Sequence, residues 1–121
     1  MQQASNPASA TTVNRNLLIN LQDNFSESDI ETLESLTLEQ LSLEKRIRGI
    51  LIDFTAVYST DARDLRRLGQ LIQAIRLLGR RIAICGINPG IAAVMIRSNI
   101  QLAYDLAGHD IDDILTQLKN A

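Results

Sequence analysis

Ile50, Leu51 and Ile52 form an unbroken apolar run that closes on Asp53 and Phe54. No polar residue alternates with them, which predicts a strand buried on both faces of a sheet. A polar stretch follows from Thr55 to Thr60. Leu65, Leu68, Ile72, Ile75 and Leu78 then recur three or four apart until Gly79. That spacing predicts a helix over about 62–78, with Thr60 or Asp61 able to cap it. This strand–loop–helix unit is the strongest pattern in the chain. In open α/β sheets function sits in crevices at the carboxyl ends of strands, so the loop from Asp53 to Asp61 is the first place to look for it.

The other elements follow from similar patterns. Thr11-Thr12-Val13 predicts a weak edge strand, Asn14-Arg15-Asn16 a turn, and Leu17 to Leu21 a better strand. Ser28 with Glu31 has capping-box spacing, and Ser26 with Asp29 offers a second register. Ile30, Leu33, Leu36, Thr37 and Leu41 then mark one face of a helix over about 28–45, with Lys45, Arg46 and Arg48 at its carboxyl end. Ile82 to Ile87 predicts a strand, and Asn88-Pro89 a helix start for about 89–98. Ala103 to Leu106 predicts a last short strand. Asp110 caps a final helix with Ile111, Ile114, Leu115 and Leu118 inward. Alternating strands and helices mean an α/β fold with a mainly parallel sheet, mixed if the first two strands form a hairpin.

At 121 residues the chain is expected to be one domain over 9–121, after a polar, flexible tail over 1–8. A chain of this length buries enough surface to fold without metal or disulfide. The formal net charge of −2 gives no electrostatic reason to expect nucleic acid. No apolar run approaches the ~18 residues of a membrane helix, and the start lacks a basic-then-apolar signal pattern. These features predict a cytoplasmic protein with no membrane partner.

Candidate chemistry is sparse. Cys85, the one cysteine, lies in an apolar run and reads as a buried, inert thiol. His109 reads as a surface-loop residue with no nucleophile beside it. One Cys, one His and scattered carboxylates give no metal spacing, and no cofactor motif is present. Gly86 to Gly90 is glycine-rich at a helix start; its N–H groups could bind an anion, but a capping turn is the simpler reading. Asp53 ends a strand as a phospho-acceptor does, yet lacks the clustered acids that hold magnesium there. It reads as capping its own loop. Arg63, Arg66 and Arg67 form a basic outward face of the second helix. The hydroxyls of Thr55, Ser59 and Thr60 either satisfy backbone groups or serve a kinase.

The stretches ILIDFTAVYSTDARDLRRL and RLLGRRIAICGINPGIAAVMI resemble the STAS domains of anti-sigma-factor antagonists. Within that family they are most similar to the small single-domain, RsbS-like antagonists of the bacterial stressosome. The likeness spans about residues 15–119. It runs in order through Asp53-Phe54-Thr55, Asp61, Arg66, Leu77-Leu78-Gly79 and Gly86-Ile87-Asn88-Pro89, the last block being the one shared with the stressosome branch. The resemblance implies a SpoIIAA-like fold: a mixed, mainly parallel sheet of four or five strands with about four helices. It implies a non-enzymatic scaffold that co-assembles with an RsbR-like protein and holds an RsbT-like switch kinase controlling the general stress response.

In that family the kinase phosphorylates a serine directly after the aspartate at Asp61. Here the position is Ala62, which cannot accept phosphate. Either the residue locks the unphosphorylated state or this member lacks the usual switch. Ser59 and Thr60 are the alternative acceptors, and Asp61, Arg63, Asp64 and Arg67 are the candidate partner contacts. Two other readings stand beside this one. A STAS accessory subunit of a lipid-transport ABC system would bind the transporter ATPase. A small-molecule or nucleotide binder would use the Gly86–Gly90 turn.

Overall fold

The computed structural model describes residues 8–119. Five strands and four helices follow in the order β1 (Ala8–Val13), β2 (Asn16–Leu21), α1 (Glu27–Leu43), β3 (Gly49–Asp53), α2 (Ala62–Leu77), β4 (Arg81–Cys85), α3 (Pro89–Arg97), β5 (Leu106–Gly108) and α4 (Ile111–Lys119). They build one sheet in the spatial order β1-β2-β3-β4-β5. β1 and β2 pair antiparallel and all later neighbours pair parallel, so the expected mixed sheet is present.

The hairpin turns through Asn14 and Arg15, both at positive φ (51° and 66°). Two successive left-handed residues match the twist of a tight hairpin, which fixes the register Val13↔Asn16. β1 begins at Ala8, earlier than the Thr11 that its β-branched residues mark, and inside the stretch expected to be a tail. The rest of that expected tail, residues 1–7, lies outside the described residues.

Parallel strands in monotonic order, joined by right-handed crossovers, must put their helices on one face. α1, α2 and α3 accordingly share a core with Leu17, Ile19, Ile50, Ile52, Ile82 and Ile84. α4 follows the last strand and folds onto the opposite face, where Ile114 packs with Leu18, Leu51, Ala83 and Cys85. β3 lies between these layers and every residue of it is buried, as its unbroken apolar run requires. No helix among the described residues is long and apolar enough to cross a membrane.

Three expectations are corrected by local geometry. α1 uses the second of the two capping registers, two residues before Ser28. Ser26 is its cap, accepting from the Asp29 N–H at 3.3 Å while the Asp29 carboxylate accepts from the Ser26 N–H at 2.8 Å. It ends at Leu43, so Lys45, Arg46 and Arg48 lie beyond its last turn. Leu36 is exposed, not inward. It stands six residues past Ile30, about 240° round the helix.

The last strand is shifted from 103–106 to Leu106–Gly108. Asp105 explains the shift. Its carboxylate accepts from the Ile82 N–H at 2.8 Å, and its own N–H donates to the Ile82 carbonyl at 2.7 Å. The side chain thus takes the place of a ladder bond, and strand pairing starts only at Ala83↔Leu106. Arg76 holds the same carboxylate at 2.9 Å from its other oxygen.

Candidate functional site

The loop between β3 and α2 runs from Phe54 to Asp61, at the carboxyl end of the central strand. The strand order never reverses, so no switch-point crevice forms at these strand ends, and the loop lies on the surface. It is nevertheless tied down at both sides. Asp23, in the β2–α1 connection, accepts from the N–H groups of Tyr58 at 2.7 Å and Ser59 at 2.8 Å. The Asn24 N–H donates to the Ser59 carbonyl at 3.0 Å. The Ser59 and then Tyr58 bonds hold the Asp23 carboxyl below the usual carboxylate range. On the other side, Asn88 donates its side-chain N–H to the Val57 carbonyl at 2.9 Å. With its oxygen it caps α3, accepting from the Ile91 N–H at 2.9 Å.

The start of the loop is fixed by Asp53. Its buried carboxylate accepts from both the N–H and the hydroxyl of Thr55, at 2.9 and 2.6 Å, the local cap its position predicts. The Cys85 thiol donates weakly to the same oxygen at 3.5 Å. Burial first, and the Asp53 charge second, push that thiol up to about 12, so it stays a neutral packing group as expected. Gly86 passes directly over Thr55 at φ +78°. His109 is exposed beside Asp110, at 3.8 Å.

Asp61, not Thr60, caps α2: it accepts from the Asp64 N–H at 2.9 Å, and that bond lowers its carboxyl below the ordinary range. Ala62 is the first helical residue, half-buried, with its methyl against the main core. Arg63 is exposed and reaches Asp64 only at 3.9 Å. Arg67 is not free. It lies largely covered and bonds Glu34 of α1 at 3.2 Å. Arg66 donates to the Ser98 carbonyl at 3.1 Å. The basic outward face expected on α2 is thus divided: Arg63 points to solvent, while Arg66 and Arg67 brace α2 against its neighbours.

Asp64 departs furthest from expectation, because it is buried and cannot face a partner in this structure. One of its oxygens has no hydrogen-bond partner. Burial first, then the neighbouring Asp61 charge, raise its carboxyl above the usual range. A raised carboxyl binds its proton more tightly folded than unfolded. Its contribution to stability is therefore full below about pH 4 and is lost as pH rises past that value. The depressed carboxyls of Asp23 and Asp61 act the other way, their contribution being present at neutral pH and lost in acid. Asp64→Asn should therefore raise the thermal midpoint at pH 7, and the gap should close near pH 3. Melting curves across that range check both the sign and the closure.

The two alternative hydroxyls also separate. Ser59 is exposed, while the Thr60 hydroxyl oxygen is buried without a partner. Tyr58, which no motif marks, stands 75% exposed beside Ser59, held outward by the Asp23 bond to its backbone. An exposed aromatic on a pinned loop is the kind of group that anchors interfaces. The assembled site is a rigid, solvent-facing rim of Tyr58, Ser59, Asp61, Ala62 and Arg63.

Comparison with known proteins places this geometry. A sequence profile of the STAS domain matches residues 7–103. No curated protein matches. Among solved structures, a serine-to-glutamate variant of RsbS from Moorella thermoacetica superposes with a TM-score of 0.78 at 19% identity, over 93% of this chain and 95% of that one. A chain from a structure of the stressosome, described as a signal integration and transduction hub, gives 0.67 at 22%, over 93% and 96%. The STAS domain of a SulP transporter from Vibrio cholerae gives 0.70 at 16%, over 92% and 89%. The profile covers most of the chain and the shared fold agrees with it. The chain belongs to the STAS domain family.

Proposed function

We propose that this chain is a non-enzymatic signalling scaffold, an RsbS-like anti-sigma-factor antagonist that binds and sequesters an RsbT-like switch kinase. In this reading it co-assembles with an RsbR-like protein in the cytoplasm and controls a general stress response. The observation that carries it is the pinned rim at the start of α2. Ala62 follows the Asp61 cap at the first helical position, where the resemblance to the stressosome antagonists implies an acceptor serine. The surface is held ready for a partner, but the hydroxyl is missing. Likeness to RsbS and to a stressosome chain supports the same reading. Tyr58, Asp61 and Arg63 are the contacts, since Asp64 is buried and Arg67 is engaged with Glu34.

The unaltered chain is expected to capture an RsbT-like kinase in a pull-down and to carry no phosphate after incubation with kinase and ATP. Mass spectrometry decides the second half. Phosphate on the exposed Ser59 would show that the acceptor has moved three residues back, into the loop, and that Ala62 does not silence the switch. Capture of a transporter ATPase in place of the kinase would favour the accessory-subunit reading, which the SulP likeness keeps in view.

A further inference from the structure

At the end of the sheet opposite the rim, three neighbouring strands are each preceded or opened by arginine. Arg15 precedes β2, Arg48 precedes β3, and Arg80-Arg81 enters β4. Backbone bonds set them side by side: the Arg48 N–H donates to the Arg15 carbonyl at 2.8 Å, and the Arg81 N–H to the Arg48 carbonyl at 3.3 Å. Adjacent strands lie about 4.8 Å apart, so this is a row of arginines at strand spacing. Lys45 and Lys119 join Arg48, Arg80 and Arg81 around an open basin of about 1200 Å³, with Asp112 the single carboxylate in its described lining.

Arg15, Lys45, Arg48, Arg80, Arg81 and Lys119 make no ion pair among the described residues; Arg46 and Arg76, at the same end, pair with Glu44 and Asp105. The Arg80 Nε is buried there without a partner. Helix carboxyl ends favour cations nearby, by a few tenths to about 1 kcal/mol each. That accounts for single charges and not for a row of arginines across strand starts, where like charges repel.

The complementary surface is on the same molecule. Glu27 and Glu31 stand one turn apart on the exposed start of α1, at the rim end, and neither has a partner among the described residues. Residues at that helical spacing have Cβ atoms about 5–6 Å apart, close to the pitch of the arginine row. A symmetric contact made through either end alone would set like charge against like; a head-to-tail contact sets acid against base.

We infer that the arginine row at the amino ends of β2, β3 and β4 is a docking surface for the acidic start of α1 in a second copy of this chain. This deepens the assembly half of the proposed function and rests on that reading only in taking a STAS domain as the neighbour. The contact is heterologous, so it repeats from copy to copy. It also lies against the rim where α2 begins, so a docked copy and a kinase compete for the same end of the domain.

The test uses this chain alone, so it can fail without touching the kinase reading. Light scattering of the unaltered chain should show association at low salt that weakens about tenfold or more by about 1 M NaCl, where the Debye length is about 3 Å. Lys45→Glu with Arg48→Glu should leave a folded monomer by circular dichroism and scattering, and so should Glu27→Lys with Glu31→Lys. Mixing the two variants should restore association, because each now offers the charge the other needs. A parent chain that stays monomeric at low salt overturns the inference. So does a dimer indifferent to salt or to either reversal, or a folded pair that fails to recover on mixing.

Discussion

Ala62→Ser is expected to convert a chain that takes no phosphate into one that takes it. Ala62 sits directly after the Asp61 cap, half-exposed, at the first position of α2. A serine there keeps the β-carbon and adds one oxygen at a half-exposed position at the start of the helix, so the fold should tolerate it. A phosphate adds about −1.5 to −2 charges. The start of α2 favours that charge, but the Asp61 and Asp64 carboxyls stand beside it and oppose it. The added charge therefore falls on a rim whose loop is held rigid from both sides, and its effect is felt by whatever docks there. Kinase affinity should drop by about tenfold on phosphorylation. Ala62→Asp should reproduce part of that loss while leaving the melting curve close to the parent. Mass spectrometry and a binding titration check the two halves separately. Phosphate on Ala62→Ser with unchanged affinity would separate modification from release.

The largest loss of stability from a single methyl group is expected at Gly86. A Cβ there would meet the Thr55 hydroxyl at 2.5 Å, the Thr55 backbone nitrogen at 2.8 Å and Asp53 at 3.0 Å. The residue also holds φ +78°, which costs an L side chain roughly 1–2 kcal/mol. Overpacking against backbone adds about 1–3 kcal/mol more, since Thr55 is fixed by Asp53 and cannot move aside. Gly86→Ala should therefore cost about 3 kcal/mol and lower the melting midpoint by about 10 °C. Gly79 supplies the control. It has a similar φ of +83° with nothing within 4 Å, so Gly79→Ala should cost only the backbone strain, about 1–2 kcal/mol. Equal losses at the two glycines would mean that the contact with Thr55 is not what Gly86 exists to allow.

The sequence discloses this fold where a pattern is local and repeated. Ile50 to Ile52 read as a doubly buried strand because no polar residue interrupts them, and Asp61 and Asn88 read as caps because each stands just before a helical pattern. Asp64 was legible too. It lies four residues before Leu68 and seven before Leu71, on the buried stripe of α2, and its charge drew attention away from that spacing. Other features had no local signal. Asp23 fixes the loop through bonds to residues 35 and 36 positions away, and only the fold brings them together. Asp105 halts strand pairing by offering a side-chain oxygen where a carbonyl is expected, a substitution no periodicity predicts. Arg67 looked free because its partner, Glu34, belongs to another helix 33 residues earlier.

The monotonic strand order carries a kinetic consequence. Every strand pairs only with the strands next to it in the chain, so each step of sheet growth closes one helix-length loop and never waits for a distant segment. Loop closure is the entropic cost that slows parallel sheets, and it rises with the length that must be closed. A sheet wound back on itself must join strands across its whole length before its centre is sealed. This one can begin at the β1–β2 hairpin and add β3, β4 and β5 in turn, each covered by the helix that delivered it. One edge of such a growing sheet is β1; the other is the most recently formed strand, and the next segment of the same chain is the nearest thing to pair with it. The growing edge therefore meets its own chain before it meets a neighbour's, which shortens the time a partly built sheet is open to aggregation.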